Sequence, residues 1–373
     1  MKPTETKTTV KERDECLLPS IVKESDKSLA KGNNQTFEEK IRMMNERRDI
    51  FNKNNWEPKE IIQLENAANY PNSSLLKIDV DEIVGLRKAV DYLQSILLNK
   101  EAKITEDVIL ELHRRVLGRV NPEESGVYRS VQVTVGGHKP PDPEELESLM
   151  TEFFNWLNSD DAKRLHPIRY AAMAHFKLVS IHPFVDGNGR VSRLLMNLVL
   201  LLERYPIVII KNSKKRQYFK AIRDGDLGDI SPFIRFVAQE VEETLDFFLS
   251  AMSDLCSCKS AKETKPTVEE QDECLLQRIA KKRDESLIAP DQLTDDLFKK
   301  IREVSIENEY RYIYNSAAIE GNTLTLEQVR YVLEHPDIFN KTNCEPKETK
   351  ESKFLRIHRH RILAEVETQV VPE

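Results

Sequence analysis

A short loop between two apolar helical faces is the feature that most constrains this chain. Before the loop, apolar residues recur at helical spacing through the stretch 168–179, and after it they recur through the stretch 191–202. Apolar residues at i, i+3, i+4 and i+7 predict helices that are buried along one face. The sequence therefore predicts a mostly α-helical protein whose core includes both helices.

The surrounding sequence predicts more helices and one small hairpin. Val131, Val133 and Val135 alternate with polar residues, which is the period of a strand, and Gly136-Gly137 follows as a turn. The helices are expected over 81–98, 167–181, 189–202, 215–222 and 231–250.

Three helix starts carry capping signals. Thr105 precedes two acidic residues in a first helical turn, and Asp142 precedes a proline and two glutamates. Thr325 and Gln328 have the spacing of a capping box. We expect a helix to begin directly after each of these residues.

The chain also contains a duplicated segment. The sequence of 14–18 recurs at 272–276, and that of 49–53 recurs at 337–341. The spacing between the two matches is about 30 residues shorter in the first copy. Two distant copies do not make a solenoid, which needs at least three stacked repeats. A recombined or truncated tandem gene is the simplest interpretation.

Composition excludes several classes of protein. The chain has 56 Lys and Arg residues against 63 Asp and Glu, a formal net charge of −7, which argues against a general nucleic-acid binder. The most apolar stretch, 194–202, is far shorter than the ~20 residues of a membrane-spanning helix. The first residues show no apolar signal sequence. We therefore expect a cytoplasmic protein with no membrane span in this chain.

The loop itself reads His182-Pro183-Phe184-Val185-Asp186-Gly187-Asn188-Gly189-Arg190-Val191-Ser192-Arg193. Gly187 and Gly189 allow backbone N–H groups to turn inward, and a helix N-terminus adds partial positive charge, which together form an anion cradle. Arg190 and Arg193 lie three residues apart, so both can reach further phosphate oxygens.

Two more side chains of the loop suit phosphate chemistry. Asp186 is placed to hold a Mg²⁺ ion that bridges phosphates, and His182 can exchange a proton near neutral pH. Each feature alone has an ordinary structural explanation: a core histidine, a glycine turn or a solvated arginine pair. Their conjunction within twelve residues favours a site. The pattern lacks a Walker A sequence, which disfavours an ordinary kinase or ATPase.

This stretch resembles the Fic motif, His-x-Phe-x-Asp/Glu-Gly-Asn-Gly-Arg-x-x-Arg, at every fixed position. The resemblance extends over about 79–250 and is to the animal Fic-domain protein adenylyltransferases. It implies a Fic-type helical bundle with a small β-hairpin flap and helical flanking segments. The implied reaction moves AMP from ATP to a Ser, Thr or Tyr hydroxyl of a target protein, with Mg²⁺ or Mn²⁺ as the cofactor.

The resemblance also implies roles for individual residues. His182 would be the catalytic base, Asp186 would hold the metal ion, and Asn188 with the neighbouring amides would stabilise the α-phosphate. Arg190 and Arg193 would bind the β- and γ-phosphates. The implied nucleotide-binding residues are Asp186, Gly187, Asn188, Gly189, Arg190, Val191, Ser192, Arg193, Val135, Gly136, Gly137, His138, Tyr218, Phe219 and Asp226.

Part of the predicted nucleotide pocket departs from the relatives. They carry two adjacent tyrosines and then an asparagine near the nucleoside, where this chain has Tyr218, Phe219 and Asp226. The carboxylate of Asp226 adds a negative charge that an amide does not, which leaves transfer of a different nucleotide open. Core packing is an equal alternative for Tyr218 and Phe219.

A second motif, Ser316 to Asn322, resembles the family's inhibitory helix, Ser/Thr-x-x-x-Glu-Gly/Asn. It implies that Glu320, with Ser316 in the same motif, pairs with Arg193 and denies the γ-phosphate its partner. Glu320 would also aid the removal of AMP, which would make the enzyme bifunctional. In the animal relatives this motif precedes the Fic core, whereas here it follows the core. Docking in cis, docking in trans and a truncated second Fic unit all remain open.

The resemblance further implies a protein substrate, with an Hsp70-type chaperone as a candidate, a homodimer as one assembly, and the endoplasmic reticulum as a location by analogy alone. A non-catalytic helical adaptor with a permanently blocked site is the alternative from another class. We expect four parts: a helical flank over 1–77, the Fic core over 78–250, a linker over 251–271 and the second copy over 272–373.

Overall fold

The computed structural model describes residues 75–97, 103–135, 139–253, 268–287 and 294–339. Helices form nearly all the regular structure of these ranges, so the predicted mostly α-helical class is confirmed. The helices are α1 (Leu75–Leu97), α2 (Glu106–Leu117), α3 (Leu146–Leu157), α4 (Asp160–Arg164), α5 (Pro167–Ile181), α6 (Asn188–Leu202), α7 (Lys215–Asp226), α8 (Ser231–Ser253), α9 (Val268–Ser286), α10 (Asp295–Ile319), α11 (Leu326–Glu334) and α12 (Pro336–Phe339). Single 3₁₀ turns precede α3 and α7.

Helix α6 lies at the centre of the core. Apart from its polar first two turns and Asn197 it is apolar all round, and nearly every residue from 188 to 201 is buried. Helices α1, α2, α5 and α10 pack against it. In the middle of the helix, the buried amide of Asn197 is satisfied because it exchanges hydrogen bonds of 2.8 and 3.1 Å with the backbone of Val208.

The second copy of the duplicated segment packs against this core within the same chain. Helix α9 lies along α8, and α10 and α11 both contact α1. The guanidinium of Arg235 on α8 binds both carboxylate oxygens of Asp272, at 2.7 and 2.8 Å. Glu242 on α8 receives a two-point contact from Arg278, at 2.7 and 2.9 Å, and a third bond from Lys282 at 2.8 Å.

A helix begins directly after each of the three predicted caps, first as a single 3₁₀ turn in the case of Asp142. Asp142 and Thr325 each form a complete capping box, with Glu145 and Gln328 as the return partners. Thr105 does occupy the N-cap position of α2, but its side chain accepts no capping hydrogen bond. The acidic residues that follow it still lie where the helix dipole favours negative charge.

Several predicted boundaries differ from the structure. Helix α1 begins at Leu75, within the predicted flank of 1–77, and α8 and α9 extend into the predicted linker from either side. Residues 1–74, 254–267 and 340–373 lie outside the described residues, so most of the first copy stays a prediction.

The flap was predicted as a hairpin around Gly136-Gly137. Between Arg129 and Val135 the structure shows a bend at Ser130 and Val131, a single bridge residue, Val135, and no strand. Residues 136–138 lie outside the described residues, so the hairpin remains a prediction. Among the helices described above, none combines the length and apolar composition that crossing a bilayer requires.

Close packing of α1 on α2 depends on Gly85. A Cβ atom at this position would lie 2.6 Å from the carbonyl oxygen of Val116, which is backbone and has little freedom to move. We expect Gly85→Ala to lower the free energy of unfolding by about 1–3 kcal/mol, although alanine is the better helix former. Urea unfolding would measure this. Ser95→Ala, at an exposed position of the same helix, is the control, and equal stability of both variants would contradict the prediction.

Candidate active site

The loop between α5 and α6 is held in shape by Asn188. Its Oδ1 accepts a hydrogen bond from the backbone N–H of Phe184 at 2.9 Å, and its Nδ2 donates to the carbonyl oxygen of the same residue at 2.8 Å. The side chain is almost completely buried. Both ends of this amide are therefore used within the loop, which leaves its backbone for the predicted phosphate contact.

A residue that the sequence analysis missed, His113 on α2, supports the loop from below. Its ring stacks on that of Phe184 with centroids 3.7 Å apart and planes 8° from parallel. Nε2 donates to the carbonyl oxygen of Asp186 at 2.9 Å, since Nδ1 already accepts from the backbone N–H of Gly126 at 2.8 Å. Burial lowers the pKa of His113 to about 4, so the ring is neutral. The sequence predicted only where α2 begins, and its capping signal did not single out this histidine.

His182 ends helix α5 in the left-handed conformation, with φ 51° and ψ 57°. Its Nδ1–H donates to the carbonyl oxygen of Val179 at 3.3 Å, which leaves the lone pair on Nε2. Burial lowers the pKa of His182 to about 4, so the neutral form dominates at pH 7. Arg129 fixes the backbone here, because its Nε donates to the carbonyl oxygen of His182 at 2.8 Å.

Arg190 lies at the first turn of α6 with its side chain almost completely buried. One terminal nitrogen contacts Asp186 at 3.0 Å, and the other contacts Glu82 of α1 at 3.3 Å. Burial disfavours the charged guanidinium, but the two carboxylates outweigh this effect and raise the pKa of Arg190 above its usual range. Glu82 is the second site residue that the sequence analysis missed.

Arg193 contacts the predicted inhibitory motif directly. Its Nη2 lies 2.7 Å from Glu320 Oε1 and 2.8 Å from the carbonyl oxygen of Ser316, and its Nε donates to Ser316 Oγ at 3.0 Å. Burial opposes ionisation of Glu320, but the charges of Arg193 and Arg190 prevail and lower its pKa. Glu320 is therefore an ionised partner of Arg193 in this structure, and the contact is made within one chain.

Glu320 also fills space at the N-terminus of α6. A Cβ atom on Gly189 would lie 2.5 Å from Glu320 Oε1 and 3.2 Å from Arg193 Nη1. The carboxylate thus sits where the dipole of α6 favours a negative charge. This is the place in which the sequence predicts an anion cradle.

The remaining predicted nucleotide-binding residues differ in burial and in their contact with Arg193. Val191 and Ser192 have fully buried side chains. Tyr218 is buried beside Arg193, 3.5 Å from its Nη1, and bonds to His175 at 2.8 Å, while Phe219 packs on its ring.

Asp226 is exposed at the end of α7 and accepts a hydrogen bond of 3.2 Å from Ser180. Val135 is likewise exposed. Residues 136–138 of the predicted flap lie outside the described residues.

Asp186 is the carboxylate that the sequence predicts as the metal ligand. In the described part of the chain, no group of three or more His, Cys, Asp or Glu side chains is arranged to hold a metal ion. A dedicated protein cage is therefore not present in those ranges. One carboxylate does suit Mg²⁺ that is bound mainly through substrate phosphates and water.

Residues 103–200 match the model of the Fic/DOC family, and the chain belongs to this family. It is 51% identical over 175 residues to a Culex quinquefasciatus protein named "Protein adenylyltransferase Fic", and 53% identical over 175 residues to the Drosophila grimshawi protein of the same name. These matches cover 47% of this chain but only 35% and 36% of the relatives, so the chain spans about a third of their length.

A solved structure, Fic-1 (residues 134–508) of C. elegans, is 31% identical, with a TM-score of 0.44 over 58% of this chain and 73% of that one.

The buried histidines predict an acid-sensitive fold. Burial lowers the pKa of His113 to about 4 and that of His175 to about 3, so the unfolded chain binds more protons than the folded chain below about pH 6.5. The free energy of unfolding should fall by about 1.4 kcal/mol per pH unit for each histidine as the pH falls from about 6.5 toward 4.

Urea unfolding at several pH values measures this slope. His175→Gln should reduce it, whereas Tyr218→Phe keeps the buried imidazole and should retain the wild-type slope. If the slope is unchanged in His175→Gln, buried His175 is not a source of the acid sensitivity.

Proposed function

We propose that this chain is a protein adenylyltransferase that moves AMP from ATP to a Ser, Thr or Tyr hydroxyl of a target protein. The observation that carries the proposal is the convergence of a neutral His182 and the buried Arg190 and Arg193 on one loop, at the N-terminus of a buried helix. The names of the two insect relatives support the same reaction.

His182 would act as the general base. With Nδ1–H bonded to the carbonyl oxygen of Val179, Nε2 can accept the proton of the target hydroxyl as its oxygen attacks the α-phosphorus. The new O–P bond forms while the bond between the α-phosphorus and the bridging oxygen breaks, and pyrophosphate leaves. The backbone amides at the start of α6 would stabilise the charge that develops on the α-phosphate.

Arg190 and Arg193 would bind the β- and γ-phosphates. Both guanidinium groups are paired with carboxylates in this structure, so bound ATP would replace a carboxylate partner with a phosphate oxygen. For Arg193 the exchanged partner is Glu320. The contact between Arg193 and Glu320 therefore supports inhibition of the chain by its own second copy.

Asp186 would hold Mg²⁺, or Mn²⁺, together with the phosphates of the nucleotide. When bound, the ion would neutralise phosphate charge and orient the leaving group. The carbonyl bond from His113 and the ion pair with Arg190 fix Asp186 for this role.

The flap from Val135 to His138 would position the target segment by a strand-like contact. An Hsp70-type chaperone is the first target to test, by analogy with the animal relatives.

Labelled ATP tests the reaction and its regulation together. With ATP labelled at the α-phosphate, and with Mg²⁺, label should appear on the chain itself or on a purified Hsp70-type chaperone. Glu320→Gly should raise transfer by on the order of tenfold, because Arg193 becomes available to the γ-phosphate. His182→Ala should lower it by about 10²–10⁴-fold. The same Glu320→Gly change should slow removal of AMP from a modified target.

The matched control is Glu327→Gly, at an exposed glutamate of α11. Equal transfer by the wild-type chain and Glu320→Gly would overturn the inhibitory role. Transfer of label by His182→Ala at the wild-type rate would refute the general base, and absence of label throughout would favour the adaptor.

Asp226 leaves transfer of a different nucleotide open, although the names of the insect relatives favour AMP transfer. Its exposed carboxylate is bonded to Ser180, and the resemblance to the Fic family implies an asparagine at this place. In competition between labelled ATP and the other nucleoside triphosphates, Asp226→Asn should shift the preference toward ATP by about fivefold, because an amide donates as well as accepts hydrogen bonds. Asp224→Asn, on the same helix, is the control. If the preference does not change in Asp226→Asn, this residue does not select the base.

A further inference from the structure

One carboxylate, that of Glu82, contacts both the loop of the candidate site and the inhibitory motif. Its Oε1 lies 3.3 Å from Arg190 Nη1, and its Oε2 accepts a hydrogen bond of 2.9 Å from Asn322 Nδ2. The side chain is 9% exposed. Asn322 follows Glu320 by two residues, so Glu82 joins the predicted phosphate site to the turn that carries the blocking carboxylate.

The turn is held on α1 by several bonds besides this one. Asn322 Nδ2 also donates to the carbonyl oxygen of Asp79 at 2.9 Å, and Asn322 Oδ1 accepts from the N–H of Leu324 at 3.1 Å. Thr323 bonds to the Asp79 carboxylate through its backbone N–H, at 3.2 Å, and through its hydroxyl. Asp79 therefore anchors the turn, and the contact through Glu82 is the one that also reaches Arg190.

The two donors compete for the same negative charge. A buried carboxylate that gives up a hydrogen bond to a neutral amide attracts its remaining cationic partner more strongly, because the charge is less stabilised by other donors. Loss of Asn322 should therefore draw Arg190 more firmly toward α1. A phosphate that needs Arg190 then binds more weakly.

We propose that Glu82 is a positioning residue that couples the inhibitory turn, residues 320–325, to the side chain of Arg190. The coupling is reciprocal, as any coupling free energy between two sites must be. This coupling is separate from the direct contact between Glu320 and Arg193, because it involves Arg190 and Asn322 instead. The inference rests on the proposed binding of nucleotide phosphates at Arg190.

The test measures nucleotide affinity in full-length chains that carry Glu320→Gly, so that the direct block is absent. The dissociation constant of ATP with Mg²⁺ is measured by calorimetry for this parent and for Asn322→Ala, Glu82→Gln and their combination. Asn322→Ala should weaken binding about fivefold when Glu82 is present, which is a modest coupling between sites. In the Glu82→Gln background, the same change at Asn322 should have no effect.

Thr323→Val is the matched control, because it loosens the same turn from Asp79 without touching Glu82. Its ATP affinity should equal that of the parent. If Thr323→Val weakens binding as much as Asn322→Ala, general loosening of the turn explains the effect and the proposal is wrong. The proposal is equally wrong if the effect of Asn322→Ala persists in the Glu82→Gln background.

A second variant keeps the test decisive if Glu82→Gln does not fold. Asn322→Asp places a second carboxylate against Glu82, so it should weaken ATP binding more than Asn322→Ala does. Affinities equal to that of the parent in both variants would overturn the coupling while the proposed function stands. A parent that binds no ATP at all would overturn both.

Discussion

Two arginines are buried at the N-terminus of α6, and their need for negatively charged partners determines which segments meet there. Burial of a guanidinium is costly unless carboxylates compensate its charge. Arg190 meets this need with Asp186 of its own loop and Glu82 of α1, whereas Arg193 meets it with Glu320, from a segment that is 127 residues away in sequence. These ion pairs therefore join the loop, α1 and the second copy of the duplicated segment at the N-terminus of α6.

If the proposed function is right, the same requirement makes the Glu320 carboxylate and a phosphate alternatives at this point. Each offers negatively charged oxygens to a guanidinium that must have them, and the dipole of α6 favours either one. Glu320 satisfies Arg193 within the chain, so the closed arrangement needs no ligand to be stable. In the proposed function a nucleotide would supply an equivalent charge, so it would compete with Glu320 for Arg193.

Much of this site could be predicted from sequence because its elements are local. Apolar periodicity predicted α5 and α6, spacing predicted the capping box at Thr325, and the Fic motif indicated His182 and the arginine pair. His113 and Glu82 were missed because their partners lie far away in sequence: a helical pattern shows that a face is buried but not what it meets. Helices α7 and α8 were also predicted too short, because neither predicted end is directly followed by a glycine or proline that would stop the helix.

The contacts between α8 and α9 have a consequence for the duplication. Arg278 and Lys282 both neutralise Glu242 on α8, and the bond network needs a cation at each position. At the corresponding positions of the first copy the chain has Ser20 and Glu24, one neutral and one acidic. The two copies have thus diverged in charge at the two positions through which the second copy binds Glu242.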